Sequence, residues 1–174
     1  MVHEDGRTYE ANAIKKALAV ARATGQLALA DDSGIEVDAL KGAPGIRSAR
    51  FAGVHGGDVK NNEKLLRLLA DTPLAHRGAR YVCVLVLADR SGVLAVTRGI
   101  WRGRIAREPK GRQGFGYDPI FLVPSFGKTV SQLSAATKRK ISHRAVAAGR
   151  MRDALVKLAR ERRRLARATT SALL

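Results

Sequence analysis

The apolar positions of the chain fall into alternating helical and strand periods. Thr8 caps a predicted helix to about Thr24, with Ala11, Ile14, Leu18 and Ala21 on its apolar face and Gly25 ending it. Leu27–Ala30 has strand length and stops at Asp31-Asp32-Ser33-Gly34, a turn composition, after which Ile35-Glu36-Val37-Asp38 alternates as a half-buried strand. Lys41–Gly57 reads as an ordered loop, and Asp58 caps a helix to Ala70 with Leu65, Leu66, Leu68 and Leu69 inward. Tyr81–Ala88 and Val93–Trp101 are strands joined by Asp89-Arg90-Ser91-Gly92, a hairpin signal. A glycine-rich loop, Gly111–Pro119, precedes a short strand, Ile120–Val123. A short helix follows Ser134, and a long one starts at about His143. Ala147, Met151, Ala154, Leu155 and Leu158 form the long helix's stripe, which fades at Arg160–Arg164. Helices before and between strands predict an α/β chain with a mixed sheet flanked by helices.

Composition adds three limits. Of 174 residues, 45% are hydrophobic and 27% charged, enough to fill a core, which excludes wholesale disorder. Cys83 is the only cysteine, so no internal disulfide or cysteine-based zinc cluster exists; it lies in the apolar run Tyr81–Leu87 and reads as a buried thiol. No apolar stretch approaches the roughly 20 residues of a membrane span, and the acidic start Met1–Asp5 is unlike a signal peptide, so a cytoplasmic location without membrane contact is expected. The charge is uneven: 32 basic against 15 acidic residues give +17, and Lys138–Leu174 alone holds twelve basic residues and two acids. That excess implies an anionic partner: nucleic acid, nucleotide or phosphate.

Three segments can carry chemistry. Adjacent carboxylates at Asp31 and Asp32 can hold a divalent cation and orient water, although the same residues suit a turn that merely caps backbone N–H groups. If the strand persists, the two point in opposite directions. Glycines around Phe115 expose a ring on which a base can stack, or form an ordinary loop with a packed Phe. Ser142 can cap the final helix, placing His143 and Arg144 in its first turn. Cations oppose the dipole there, which suits a phosphate or carbonyl ligand better than stability; a solvated basic face is the plainer alternative. Glu4-Asp5-Gly6 is by itself only an acidic segment, and Lys15 and Lys16 are by default surface residues.

Together these strings resemble the inosine triphosphate pyrophosphatase family, the non-canonical purine NTP (dITP/XTP) pyrophosphatases. The resemblance rests on Ala30–Leu40, Gly42–Gly45, Ser48–Gly53, Phe115–Phe121 and Ile141–Arg144, and covers about Glu4 to Leu155 in the family's order. It implies an elongated mixed sheet and two lobes with a nucleotide cleft between them, Mg2+ dependence and a homodimer. The implied reaction converts ITP, dITP or XTP to the monophosphate and pyrophosphate. By the same resemblance Asp32 is the metal-binding proton acceptor, Ser33 a substrate contact, Glu4 a metal ligand and Lys16 a residue near the phosphates. Phe115, Gly116, Tyr117 and Asp118 form the base loop, and Lys138, His143 and Arg144 are the remaining nucleotide contacts.

The residue types suit that chemistry. Glu4 and Asp32 are hard oxygen donors, Asp32 can accept a water's proton, and Lys16 and Lys138 can meet phosphate charge. His143 and Arg144 can donate to a purine 6-oxo group, where adenine presents an amino donor instead. The family's opening Thr/Ser-x-Asn-x-x-Lys phosphate loop and its strand have no counterpart in this sequence, which leads us to expect an exposed sheet edge and weakened activity. Residues 1–158 are expected to form the enzyme domain and 159–174 a basic tail, through which nucleic acid could be contacted. Two other readings stay open: a catalytically weak nucleotide-binding relative, and a basic nucleic-acid-binding protein. No RRM, KH or zinc-finger pattern supports the latter, and aromatic content is 5%.

Overall fold

The computed structural model describes residues 2–53 and 57–171. Residues 54–56 of the expected ordered loop and 172–174 of the basic tail lie outside the described residues. Nine elements carry the fold: α1 (Tyr9–Thr24), β1 (Ala28–Val37), α2 (Gly57–Leu68), β2 (Gly78–Ala88), β3 (Val93–Ile105), β4 (Phe121–Val123), β5 (Lys128–Thr129), α3 (Ala135–Ile141) and α4 (His143–Ser171). The strands stand in the order β1-β2-β3-β4-β5 and every ladder is antiparallel. The α/β architecture stands, but the sheet, expected to be mixed, is antiparallel throughout among the described residues, each strand pairing with its neighbour in the chain. A four-residue turn joins β2 to β3, and Asp89 organises it by accepting from the N–H groups of Ser91 and Gly92.

The helix ends follow their caps. Thr8 Oγ1 accepts from Ala11 N, and Gly25 closes α1 in the left-handed conformation. Ser134 Oγ accepts from Thr137 N at the start of α3, and Ser142 Oγ from Ala145 N at the start of α4. α4 then runs unbroken to Ser171, so the basic segment continues the helix, and Arg162 meets Asp89 of the hairpin turn at 3.4 Å.

Four local expectations are corrected. Asp31–Gly34 is no turn: β1 is continuous, with Asp31 opposite Leu85 and Gly34 opposite Val82. Gly34 serves close approach, because a Cβ there would lie 2.5 Å from Gly45 O and 2.6 Å from Ser48 Oγ. The buried face of α1 is Tyr9, Ala13, Ala17 and Ala21, with Ile14 and Leu18 on its flanks; small side chains bring the helix close to Val82, Val84 and Val86. Leu65 and Leu69 are buried but Leu68 is exposed, being one position off that face. Asp58 lies inside the first turn of α2, and its carboxylate accepts from Gly116 N instead of capping the helix.

α1 covers one sheet face and α4 the other. A second cluster, built on Ile35, Val37, Tyr81, Trp101, Ile105, Phe121, Leu65 and Leu69, fills the space beneath α2 beside α4. Beside the second cluster the α4 face of the sheet opens as a cleft at Ser33, Ile35 and Tyr81. Cys83 is fully buried on that face, as expected. Gly99 lets α4 close on the sheet: a Cβ there would overlap the His143 carbonyl oxygen and lie 2.6 Å from Ala147 N, both backbone. Gly99→Ala should therefore lower stability by about 2 kcal/mol through overpacking. That corresponds to a thermal midpoint lower by roughly 4–8 °C for a chain of this size, read by circular dichroism; an unchanged midpoint would show that the helix is not held there.

Candidate active site

The pleat of β1 divides the candidate residues. Asp31, Ser33, Ile35 and Val37 share the α4 face, because they pair with Leu85, Cys83, Tyr81 and Ala79. Asp32, opposite Val84, points to the α1 face, as a persisting strand requires.

On the α1 face, Lys16 Nζ lies 3.1 Å from Glu4 Oε1 and 3.2 Å from Asp32 Oδ1. Asn12 Nδ2 donates to Asp32 Oδ2 at 3.2 Å, and Asn12 Oδ1 accepts from Gly6 N, which ties the Glu4 segment to the same helix. Burial by itself would lower the Lys16 ammonium, but the hydrogen bonds and charges of Glu4 and Asp32 outweigh it and hold the ammonium above its usual value. Lys16 is thus no surface residue; it is a fixed cation between two carboxylates. The neighbouring pair Lys15–Asp5 is exposed.

On the α4 face, a cleft of about 190 Å³ gathers Ser33, Phe115, Gly116, Tyr117, Asp118, Lys138, His143 and Arg144. Asp118 is its hub. Its Oδ1 accepts from Tyr81 OH at 3.2 Å; its Oδ2 accepts from Phe115 N at 3.1 Å and pairs with Lys138. Phe115 is 62% exposed, with Lys138 Nζ 4.4 Å and Arg144 Cζ 5.8 Å from its ring centre. α2 clamps Gly116 from both sides: Asp58 accepts from its N–H and Asn62 donates to its carbonyl. Tyr117 is buried, and its hydroxyl donates to Ser48 O at 2.8 Å, so it supports the loop. Asp31 Oδ2 accepts from Ser33 Oγ at 3.0 Å and from Arg144 Nε at 3.1 Å.

His143 is buried against Tyr81, ring centres 4.7 Å apart and 14° from parallel. Burial, then the charges of Arg144 and Lys138, push its pKa down to about 3. The helix therefore begins with a neutral imidazole, and the dipole conflict expected for two cations reduces to Arg144, which Asp31 answers. Lys138, expected at the phosphates, stands on α3 against the base loop, paired with Asp118 and over the Phe115 ring. Tyr81, Asp58 and Ser48 were missed. A tyrosine hydroxyl in the apolar run Tyr81–Leu87 requires a buried partner, and that was the available signal for Tyr81.

The profile of the Ham1 family matches residues 1–154. The chain belongs to the Ham1 family. A dITP/XTP pyrophosphatase of Desulforamulus reducens is 53% identical over 157 residues, 90% of this chain and 78% of that protein. One from Rhodopirellula baltica is 54% identical over 144 residues, 82% and 69% of the two chains. Among solved structures, a HAM1 protein from Coxiella burnetii superposes with a TM-score of 0.85 at 41% identity, covering 90% of this chain and 80% of that one. A nucleoside-triphosphatase / dITP/XTP pyrophosphatase from Mycobacterium abscessus gives 0.75 at 42% identity, covering 87% and 77%.

A larger cleft of about 700 Å³ lies elsewhere on the α1 face, lined by Arg7, Glu36, Arg47, Arg80 and Arg98 among others. It contains none of the convergent groups above, and for this Ham1 chain the smaller cleft is the better site because its polar atoms converge. Among the described residues no helix is long and apolar enough to cross a membrane.

The neutral His143 makes stability depend on pH. Its folded pKa of about 3 lies below the ordinary 6.5, so the unfolded chain binds the proton first. Its contribution is intact above pH 6.5 and shrinks by up to about 1.4 kcal/mol per pH unit on descent towards 3. Denaturant titrations at pH 7, 6, 5 and 4 should show this slope in the wild type and a shallower one in His143→Gln; equal slopes would mean His143 titrates normally.

Proposed function

We propose that this chain hydrolyses non-canonical purine nucleoside triphosphates (ITP, dITP and XTP) to the monophosphate and pyrophosphate, cleansing the nucleotide pool. The observation that carries the reading is the division made by β1. A base-sized cleft lies on one face and an acid–ammonium–acid cluster on the other, met by the adjacent residues Ser33 and Asp32, and β1 is the first strand of the sheet order. A nucleotide lying across that strand would place its base in one and its phosphates at the other. The resemblance to dITP/XTP pyrophosphatases at about 50% identity points the same way.

The residues fit Mg2+. Glu4 and Asp32 converge on one cationic point, the Lys16 ammonium, and two carboxylates are the usual protein share of a Mg2+ that keeps water and phosphate oxygens. When bound, the ion neutralises phosphate oxygens during attack. Asp32 accepts the proton of the attacking water; Asn12 and Lys16 each hold one of its oxygens and so fix its direction. Lys16 presents its charge to the phosphates. On the other face, Phe115 stacks on the purine. Stacking is worth about 1–3 kcal/mol against about 0.5–1 for an exposed cation–π contact, so the base displaces the exposed Arg144 from the ring while Lys138 stays on Asp118. Arg144 and the neutral His143 then read the 6-oxo group, and Ser33 lies at the strand between the two sites. Lys138 holds Asp118. Residues 1–158 are the enzyme domain and 159–174 its basic extension; the enzyme works as a homodimer in the cytoplasm.

Pyrophosphate release with Mg2+ from dITP and XTP, compared with dATP and dGTP, tests the reading; no preference for the first pair would overturn it. Asp32→Asn should lower kcat by about a hundredfold or more with an unchanged thermal midpoint, since an amide cannot take the proton. Near-normal turnover would remove Asp32 from its role.

Arg144→Ala separates base reading from phosphate binding. Loss of one charged hydrogen bond, about 1.5–3 kcal/mol, should cut kcat/KM for dITP and XTP about 10- to 100-fold and leave dATP much less affected. An equal loss on dATP would make Arg144 a phosphate clamp.

A further inference from the structure

We infer that Tyr81 is a positioning residue for base selection: its hydroxyl fixes Asp118 and its ring fixes the plane of His143, so one buried side chain aligns both walls of the base cleft. The inference rests on the function proposed above and adds a residue that no motif supplies.

Asp118 is 3% exposed, and its two oxygens have different partners. Oδ2 is held by the Phe115 N–H and by Lys138, both parts of the base site. Oδ1 has Tyr81 OH as its only partner among the described residues. Without that hydroxyl the oxygen is left unpaired in the interior, and a buried carboxylate short of a partner moves to find one. Any such movement carries Phe115 with it, because the Phe115 N–H sits on the same carboxylate.

His143 depends on Tyr81 in another way. Its imidazole makes no side-chain hydrogen bond among the described residues, and Nδ1 is buried without a partner. No polar contact therefore sets the ring's plane; the near-parallel stack on Tyr81 does. Tyr81 is in turn packed against Phe121 at 4.4 Å and Trp101 at 6.4 Å within the second core cluster. Burial, and then Asp118 beside it, hold the Tyr81 hydroxyl well above its usual pKa, so it donates throughout the working range. Rigidity thus passes from the core to the two groups that face the base, and neither needs a ligand to be aligned.

Two substitutions in the full chain separate the parts. Tyr81→Phe keeps the ring and deletes the donor. KM for dITP should rise about tenfold with kcat within about twofold, and the thermal midpoint should fall by a few degrees because a buried carboxylate oxygen loses its partner. Tyr81→Leu, or Tyr81→Met if Leu does not fold, deletes the stack, and the dITP-to-dATP ratio of kcat/KM should fall about tenfold. A merely structural role would lower the midpoint of either variant without moving that ratio. An unchanged KM in Tyr81→Phe, or an unchanged ratio in the second variant, overturns the inference while the proposed function stands. Calorimetric titration with IMP and AMP reads base selection without turnover. If the wild type hydrolyses no dITP yet prefers IMP, the enzymatic reading fails and the same variants, scored on that preference, still decide the role of Tyr81. If the wild type neither hydrolyses dITP nor prefers IMP, both fall.

Discussion

The site depends on the register between β1 and β2. Side chains alternate with a period of two, so a one-residue slip would exchange every group between the faces. Asp32 would leave Lys16 and Asn12, and Asp31 and Ser33 would leave the cleft. The register is held by what surrounds the acids. Ile35 and Val37 are fully buried on one face, and Gly34 on the other is the position where nothing larger than hydrogen fits against Gly45, Ser48 and Tyr9. Three polar residues in the middle of a strand weaken it locally; apolar burial on their C-terminal side and the long ladder to β2 compensate.

The two ion pairs of the cleft differ in kind, and burial decides which can yield to a ligand. Asp31 and Arg144 are 38% and 46% exposed at the side chain, a setting where a pair is worth about 0–1 kcal/mol. Breaking it to turn Arg144 towards a base costs little. Asp118 is 4% exposed at the side chain, and removing one partner from a buried pair costs about 3–5 kcal/mol. Lys138 and Asp118 are therefore scaffold, and Arg144 is the group free to exchange partners. The same reasoning moves Lys138 from the phosphate role that its charge suggests to the support of the base loop.

Local chemistry made much of this legible. Thr8, Gly25, Ser134 and Ser142 mark helix ends because capping is decided within a few residues, and the β2–β3 hairpin is readable for the same reason. What escaped is decided at long range. Asp31–Gly34 has the composition of a turn, yet pairing with β2 and partners on both faces keep it a strand. Leu68 and the flanks of α1 were misplaced because helical period alone does not say which ridge meets the sheet. Tyr81, Asp58 and Ser48 are joined to the base loop only by the fold. The family resemblance read from the sequence points to the proposed nucleotide contacts but not to the residues that hold them in place.

The start of α4 shows how the fold resolves a conflict written into the sequence. His143 and Arg144 bring positive charge to the N-terminus of α4, where the dipole disfavours it, and Lys138 at the end of α3 adds a third cation beside them. Burial and the neighbouring cations keep His143 neutral, Asp118 takes Lys138, and Asp31 takes Arg144. Both remaining cations, Lys138 and Arg144, have a carboxylate, and His143, whose imidazole makes no side-chain hydrogen bond among the described residues, is the group whose charge has been removed. A neutral imidazole costs far less to bury unpaired than an imidazolium, so it can wait in the cleft with its buried Nδ1 unsatisfied. That is the condition under which a ligand's oxygen or nitrogen gains most by arriving, because it supplies a bond that the protein lacks.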